Sequence, residues 1–132
     1  MAIRRTIKTA RNKEIVDITD EVNRALAQLD AGDGLCHVFT KHTTASVTTA
    51  DLDPGTDLDM LDAFQAMIPD LNYRHPHDPS HVPDHIMSAI IGPGELVPVS
   101  SGRLDLGTWQ RVIFVELSGP RERTIIISHL PC

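Results

Sequence analysis

The sequence has no apolar run approaching the roughly 20 residues that a membrane-spanning helix requires. It has only two cysteines, Cys36 inside an apolar stretch and Cys132 at the last position. Neither sits in a CxxC pair, so cysteine-based zinc is not expected, and a secreted domain of this size would more often carry several bridges. The opening Met1-Ala2-Ile3-Arg4-Arg5 is basic, but polar residues follow where a signal peptide needs an apolar stretch. These features predict a cytoplasmic chain with no membrane partner. A basic excess is missing too. The net charge is −6, and Arg121-Glu122-Arg123 is interrupted by an acid. Nucleic acid, which selects basic surfaces, is therefore set aside as a partner. Internal repeats and low-complexity segments are also absent.

What is present fits one ordinary core. A chain of 132 residues buries roughly two-thirds of its unfolded surface, so residues 1–132 are expected to form a single domain. Strands are predicted at 2–9 and 13–18. A helix then follows from Thr19, a candidate cap, with Asp20 and Glu21 in its first turn and Val22, Ala25, Leu26 and Leu29 at helical spacing. Strands at 35–40 and 45–49 come next. Beyond the Asp53-Pro54-Gly55 turn, Thr56-Asp57-Leu58-Asp59 resembles a capping box, and the helix it opens is expected to bury Leu58, Leu61, Phe64 and Ile68. Residues 70–83 form a polar segment holding three of the seven histidines, with His85 just beyond it, and Pro83 suits the start of a short helix ended by Gly92-Pro93-Gly94. Strands at 96–99, 111–117 and 123–128 complete the chain. Strands, helix, strands, helices and strands in that order predict a compact α+β domain with a mixed or antiparallel sheet and two to three helices.

The histidines are the chemical feature. Zinc takes neutral imidazoles at about 2.0–2.1 Å, and a catalytic zinc keeps one position open. His75-Pro76-His77 has the spacing that puts two side chains on one face of an extended segment. His81 and His85 are four apart, but Pro83 places the helix start at or after Val82, so His81 should fall outside it. His85 then sits in a first turn, where the positive end of the helix dipole disfavours imidazolium. His42 lies in Lys41-His42-Thr43-Thr44-Ala45-Ser46, where neighbouring hydroxyls could orient it. His37 and His129 read as ordinary hydrogen-bonded side chains.

Other patterns are weaker. Ser46 near His42 lacks the GxSxG elbow of a serine hydrolase. Asp51, Asp53, Asp57 and Asp59 lack the spacing and closing Glu of a calcium loop. The segment from Ser101 to Gln110 carries Gly107-Thr108-Trp109-Gln110, a glycine-flanked run with a hydroxyl, an indole N–H and an amide. It can line a pocket with donors, or it can be a tight hairpin beside one core tryptophan. Arg121, after Gly119-Pro120, has a fork that matches phosphate oxygens and is equally suited to a surface ion pair.

His42-Thr43-Thr44-Ala45, Tyr73-Arg74-His75, His85 before Ile91-Gly92, Val97-Pro98-Val99, Gly102-Arg103-Leu104, Gly107-Thr108-Trp109-Gln110 and Gly119-Pro120-Arg121 follow one another in the order of the YjbQ family. The sequence resembles this family of secondary thiamine-phosphate-synthase-like proteins over roughly residues 5–128. The resemblance implies a homotrimer with a metal-binding histidine cluster. By position it makes His42, His75 and His85 the ligands of a divalent metal, zinc first and magnesium second. It assigns His85 and Asp51 catalytic roles, and Thr43, Thr44, Ser46, Gly107, Thr108, Trp109, Gln110 and Arg121 the binding of a small phosphorylated or anionic ligand. His77 and His81 match no family histidine. Ala50-Asp51 stands where the family usually has Asn-Glu, which shortens the arm of that carboxylate. The implied activity is a weak thiamine-phosphate synthase reaction, joining a pyrimidine diphosphate to a thiazole phosphate. Two further functions compete with it: a non-catalytic ligand-binding or regulatory trimer, and a metal-assisted hydrolase of small anionic substrates. No aspartate-rich magnesium site accompanies the histidines.

Overall fold

The computed structural model describes all residues, 1–132. Its strands are β1 (Ala2–Lys8), β2 (Glu14–Asp17), β3 (Gly34–Phe39), β4 (Ala45–Ala50), β5 (Gly94–Ser100), β6 (Arg103–Leu104), β7 (Arg111–Glu116) and β8 (Glu122–Pro131). The helices are α1 (Thr19–Gln28), α2 (Thr56–Met67) and α3 (Val82–Ile91), the last preceded by a 3-10 turn at Pro79–His81. Every strand pairing is antiparallel. There are two sheets, one ordered β1-β8-β3-β5-β6 and the other β2-β7-β4. The expected α+β class holds, with antiparallel pairing throughout rather than a mixed sheet.

The main core lies between the sheets. Ile7, Val38, Ile125 and Ile127 of the larger sheet meet Val47, Val112 and Phe114 of the smaller, and Val22, Ala25 and Leu26 of α1 close one end. The opposite face of the smaller sheet presents Ile113, Val115 and Leu117 to Met87 of α3 and to Met60, Phe64 and Ile68 of the α2 region. Strand β7 is thus covered on both faces, which is why 112–115 reads as an unbroken apolar run instead of alternating. The outer face of the five-stranded sheet carries no helix. Alternation turns Leu35, Phe39, Leu96, Pro98 and Ile126 outward there, and Leu96 stays 57% exposed.

Three local expectations are corrected. Thr19 is the first helical residue rather than a cap. Its N–H donates to Asp17 Oδ1 at 3.0 Å, while its hydroxyl accepts from Val112 N–H at 2.9 Å. The capping box at Thr56 does not form, because Gly55, at φ 90°, enters α2 without a side-chain cap. Leu58 is 54% exposed, so the buried stripe of α2 runs through Met60 and Phe64 instead. The dipeptide strand β6 and the 3-10 turn are too short to leave a periodic signal. His81 lies outside α3, as Pro83 requires.

Candidate functional site

Glu116 ends β7 and Arg123 lies in β8, on either side of a turn that contains a cis Gly119–Pro120 peptide. Both side chains are buried, 0% and 2% exposed. Arg123 Nε donates to Glu116 Oε1 at 2.9 Å, and its Nη2 also pairs with Oε2. Glu116 accepts further bonds from Thr9 Oγ1 at 2.7 Å and from Ser118 N–H at 3.2 Å. Burial by itself would raise the Glu116 carboxyl, but the Arg123, Thr9 and Ser118 bonds outweigh it and hold the group below the ordinary carboxylate range. The remaining reach of Arg123 goes to Thr44, whose hydroxyl and carbonyl accept from Nη2 at 3.0 and 3.3 Å. A charged pair therefore anchors the Thr40–Thr44 turn from beneath.

His42 stands on that turn. Its Nε2 accepts from Thr124 N–H of β8 at 3.1 Å. Partial burial, then the Arg123 and Arg121 charges, push its pKa below the ordinary histidine value of 6.5, with Glu116 acting the other way. His85 reaches the same turn from the first part of α3, its Nδ1 lying 3.1 Å from the Thr43 carbonyl. A carbonyl only accepts, so Nδ1 carries the hydrogen, and the neutral ring has its lone pair on Nε2. His75 stacks on His85 with centroids 5.2 Å apart, and its Nδ1 accepts from Asp78 N–H at 3.3 Å. His42, Thr43 and His85 together line a cleft of about 460 Å³, with Lys41, Phe39 and Ser88 among its other walls. Gly94 belongs to the strand behind Pro93 on this cleft. A Cβ there would lie 2.4 Å from the Val38 carbonyl, so only glycine lets the two strands approach so closely.

The predicted site residues thus fall at two ends of β4. His42, Thr43, Thr44, His75, His85 and Arg121 gather at its start, where Arg121 Nε donates to Ser118 O at 2.7 Å. Asp51 and the 107–110 loop lie at its far end, a strand of six residues or roughly 20 Å away. There Asp51 Oδ1 accepts from Asp53 N–H at 2.8 Å. Gln110 binds Gly107 N–H through its carbonyl at 3.1 Å and Thr49 Oγ1 through its amide at 3.0 Å. Trp109 is 69% exposed, which overturns the alternative of a core tryptophan. Ser46 is fully buried and donates to the Ser88 carbonyl at 3.0 Å, tying β4 to α3 beneath the cleft. Neither His75 nor His77 is among the walls of the cleft, His75 meeting it only through its stack on His85, and His81 pairs with Asp78 at 3.3 Å.

For a metal, the donor chemistry is mixed. His85 is preset as a ligand, because an Nδ1–H held by a carbonyl frees Nε2. His42 is turned the other way, its Nε2 lone pair already spent on a backbone N–H. No group of three or more His, Cys, Asp or Glu side chains is gathered at metal-binding range within the chain. Glu116, Arg123 and Ser88 were not picked out by the sequence reading. The one available signal was an acid inside the apolar β7 run facing an arginine across a short turn.

A second hollow, about 480 Å³, opens between α2 and the start of α3 and is lined by Leu61, Phe64, Ile68, Met87 and the Lys13–Asp84 ion pair. No helix is long and apolar enough to cross a membrane.

Residues 3–131 match the family model described as UPF0047 protein YjbQ-like. A UPF0047 protein of Archaeoglobus fulgidus is 39% identical over 126 residues, covering 95% of this chain and 98% of its own. The UPF0047 protein YugU of Bacillus subtilis is 37% identical, covering 92% of each chain. Among solved structures, a hypothetical protein from Aeropyrum pernix K1 superposes with a TM-score of 0.92 at 34% identity, covering 100% of this chain and 99% of that one. A protein of unknown function from Sulfolobus solfataricus reaches the same TM-score at 30% identity, with 100% and 97% covered. Matched over nearly its whole length, the chain belongs to the UPF0047 family of YjbQ-like proteins.

Proposed function

We propose that the cleft at the His42 turn binds a small phosphorylated or otherwise anionic molecule together with one divalent cation, zinc in preference to magnesium. His85 carries this reading: its Nδ1–H is pinned to the Thr43 carbonyl, so Nε2 is the lone pair available to a ligand in a cleft that Lys41 also lines. His75, stacked against it, supplies a second imidazole. A cation bound there would polarise the oxygens of a phosphoryl leaving group, as a thiamine-phosphate-synthase-like transfer needs. Lys41 and Arg121 would hold the anion, and His85 Nε2 would accept a proton when no metal occupies it.

The working form in this proposal is a cytoplasmic homotrimer. Two observations support assembly. The outer face of the five-stranded sheet leaves Leu35, Phe39, Leu96 and Ile126 without a covering element. Asp51 and the Trp109 loop stand a full strand length from the histidines, so they could serve the same site only across a subunit boundary.

The test is metal analysis of purified protein, paired with light-scattering mass and titration of zinc into wild type and His85→Ala. Zinc uptake that His85→Ala reduces at least tenfold supports the reading. A wild type that takes up no zinc, or uptake indifferent to the substitution, rejects it. Turnover of generic phosphate esters would favour a hydrolase over the transferase.

A further inference from the structure

The contacts of His42 assign it a role different from that of His85. Thr124 N–H can only donate, so His42 Nε2, 3.1 Å away, must be the acceptor. A neutral imidazole has one hydrogen, which then resides on Nδ1. That atom makes no hydrogen bond within the chain, yet no buried polar side-chain atom lacks a partner. Nδ1 is therefore reachable from solvent, on a ring that walls the cleft. Three features keep the ring in this state. Thr124 pairs with Thr6 of β1, and its carbonyl accepts from Thr40 Oγ1 at 3.3 Å on the other side, so its N–H does not swing away. Arg123, clamped by Glu116, lies under the same turn and places a permanent positive charge beside the ring. Thr40 Oγ1 holds the His42 backbone N–H at 3.4 Å, steadying the residue at its base.

We propose that His42 is a fixed neutral hydrogen-bond donor, presenting Nδ1–H to an anionic oxygen of the ligand, and is not a metal ligand. Resting on the reading of this cleft as the ligand site, the inference divides labour between two histidines of opposite tautomer. His42 offers a donor and His85 an acceptor, so the ligand class is a small oxyanion that also carries an acidic proton or binds beside a cation at His85 Nε2. A neutral donor pre-set in this way stabilises negative charge on oxygen without surrendering its own proton. Metal ligation at His42 Nδ1 would force the proton onto Nε2, directly against the Thr124 N–H.

The experiment is long-range 1H–15N correlation NMR of the imidazoles at mildly alkaline pH, with His42→Ala to assign the ring. Inorganic phosphate and zinc are then titrated separately. The expected result is an Nδ1–H tautomer for His42 in the free protein, retained under zinc and with its Nδ1 resonance shifted by phosphate. An Nε2–H tautomer, or loss of the Nδ1 proton on adding zinc, overturns the proposal, and so does a His42 ring blind to phosphate. His42→Asn keeps a donor near the Nδ1 position, whereas His42→Gln places its amide near Nε2. Phosphate affinity should survive within roughly threefold in the first and fall tenfold or more in the second, the scale of one hydrogen bond to a charged group. Equal loss in both also overturns it. Zinc uptake at His85 is read independently, so failure of the metal reading would leave the tautomer result standing.

Discussion

Replacing Arg123 by Met should be among the most damaging single changes available to this chain. Glu116 has no exposed surface, and its carboxylate is satisfied by Arg123, Thr9 and Ser118. Arg123→Met removes the only cation in that set and leaves a buried charge with two neutral donors. It also strips both Arg123 bonds from Thr44. Breaking a buried ion pair from one side costs about 3–5 kcal/mol, against a total stability of about 5–15 kcal/mol for an ordinary domain. For a chain of this length that corresponds to a fall in Tm of about 10–20 °C. Urea unfolding followed by far-UV circular dichroism, at fixed protein concentration so that assembly does not vary, measures the loss. The double variant Glu116→Leu, Arg123→Met removes both charges and should recover more than half of it, because apolar pairs replace buried ion pairs at little net cost. A single substitution costing below about 1 kcal/mol, or a double variant as unstable as the two singles added together, would refute the claim that this pair is a desolvated charge clamp.

Acid should weaken the fold in two stages. The folded His42 and Glu116 values both lie below the ordinary 6.5 and 4.5, so in each case the unfolded chain binds the proton more readily. Stability is complete above the ordinary value and is lost as pH falls through the folded one; His42→Gln should remove the upper stage in a pH series of urea midpoints, leaving the lower. Burial pushes the Cys36 thiol up to about 11, whereas Cys132 is exposed. Iodoacetamide at neutral pH, followed by mass spectrometry, should therefore label Cys132 alone until denaturant is added. Gly94→Ala would set a Cβ 2.4 Å from the Val38 carbonyl and should cost about 2 kcal/mol or more, seen as a lowered urea midpoint. An unchanged midpoint would mean that β3 and β5 can separate behind the cleft without penalty.

Much of the fold was legible because periodicity is local. The helical spacing of Val22, Ala25 and Leu26 and the β-branched run of Val112 and Ile113 reflect burial along a single element, which survives in a one-dimensional string. Pro83 alone was enough to place the start of α3 and to detach His81 from it. Capping was less legible. Asp17 and Thr19 are both capping residue types, and only the pairing of Thr19 with Val112 across β7 decides which of them serves the helix end.

By itself, the sequence determined the α+β class, the helix boundaries near Pro83 and Gly92, and the family, through residues whose types and order are local facts. The tertiary structure alone decided which histidine nitrogen is available. That depends on Thr124 N–H and the Thr43 carbonyl, 82 and 42 residues away in the chain. It also decided that Asp51 and Gln110 sit at the opposite end of β4 from His42, since proximity in the string is converted to separation by an extended strand of about 3.3 Å per residue. The same holds for Glu116 and Arg123. Their residue types were visible throughout, but only burial between packed strands turns an acid and a base seven residues apart into a single clamp beneath the histidine turn.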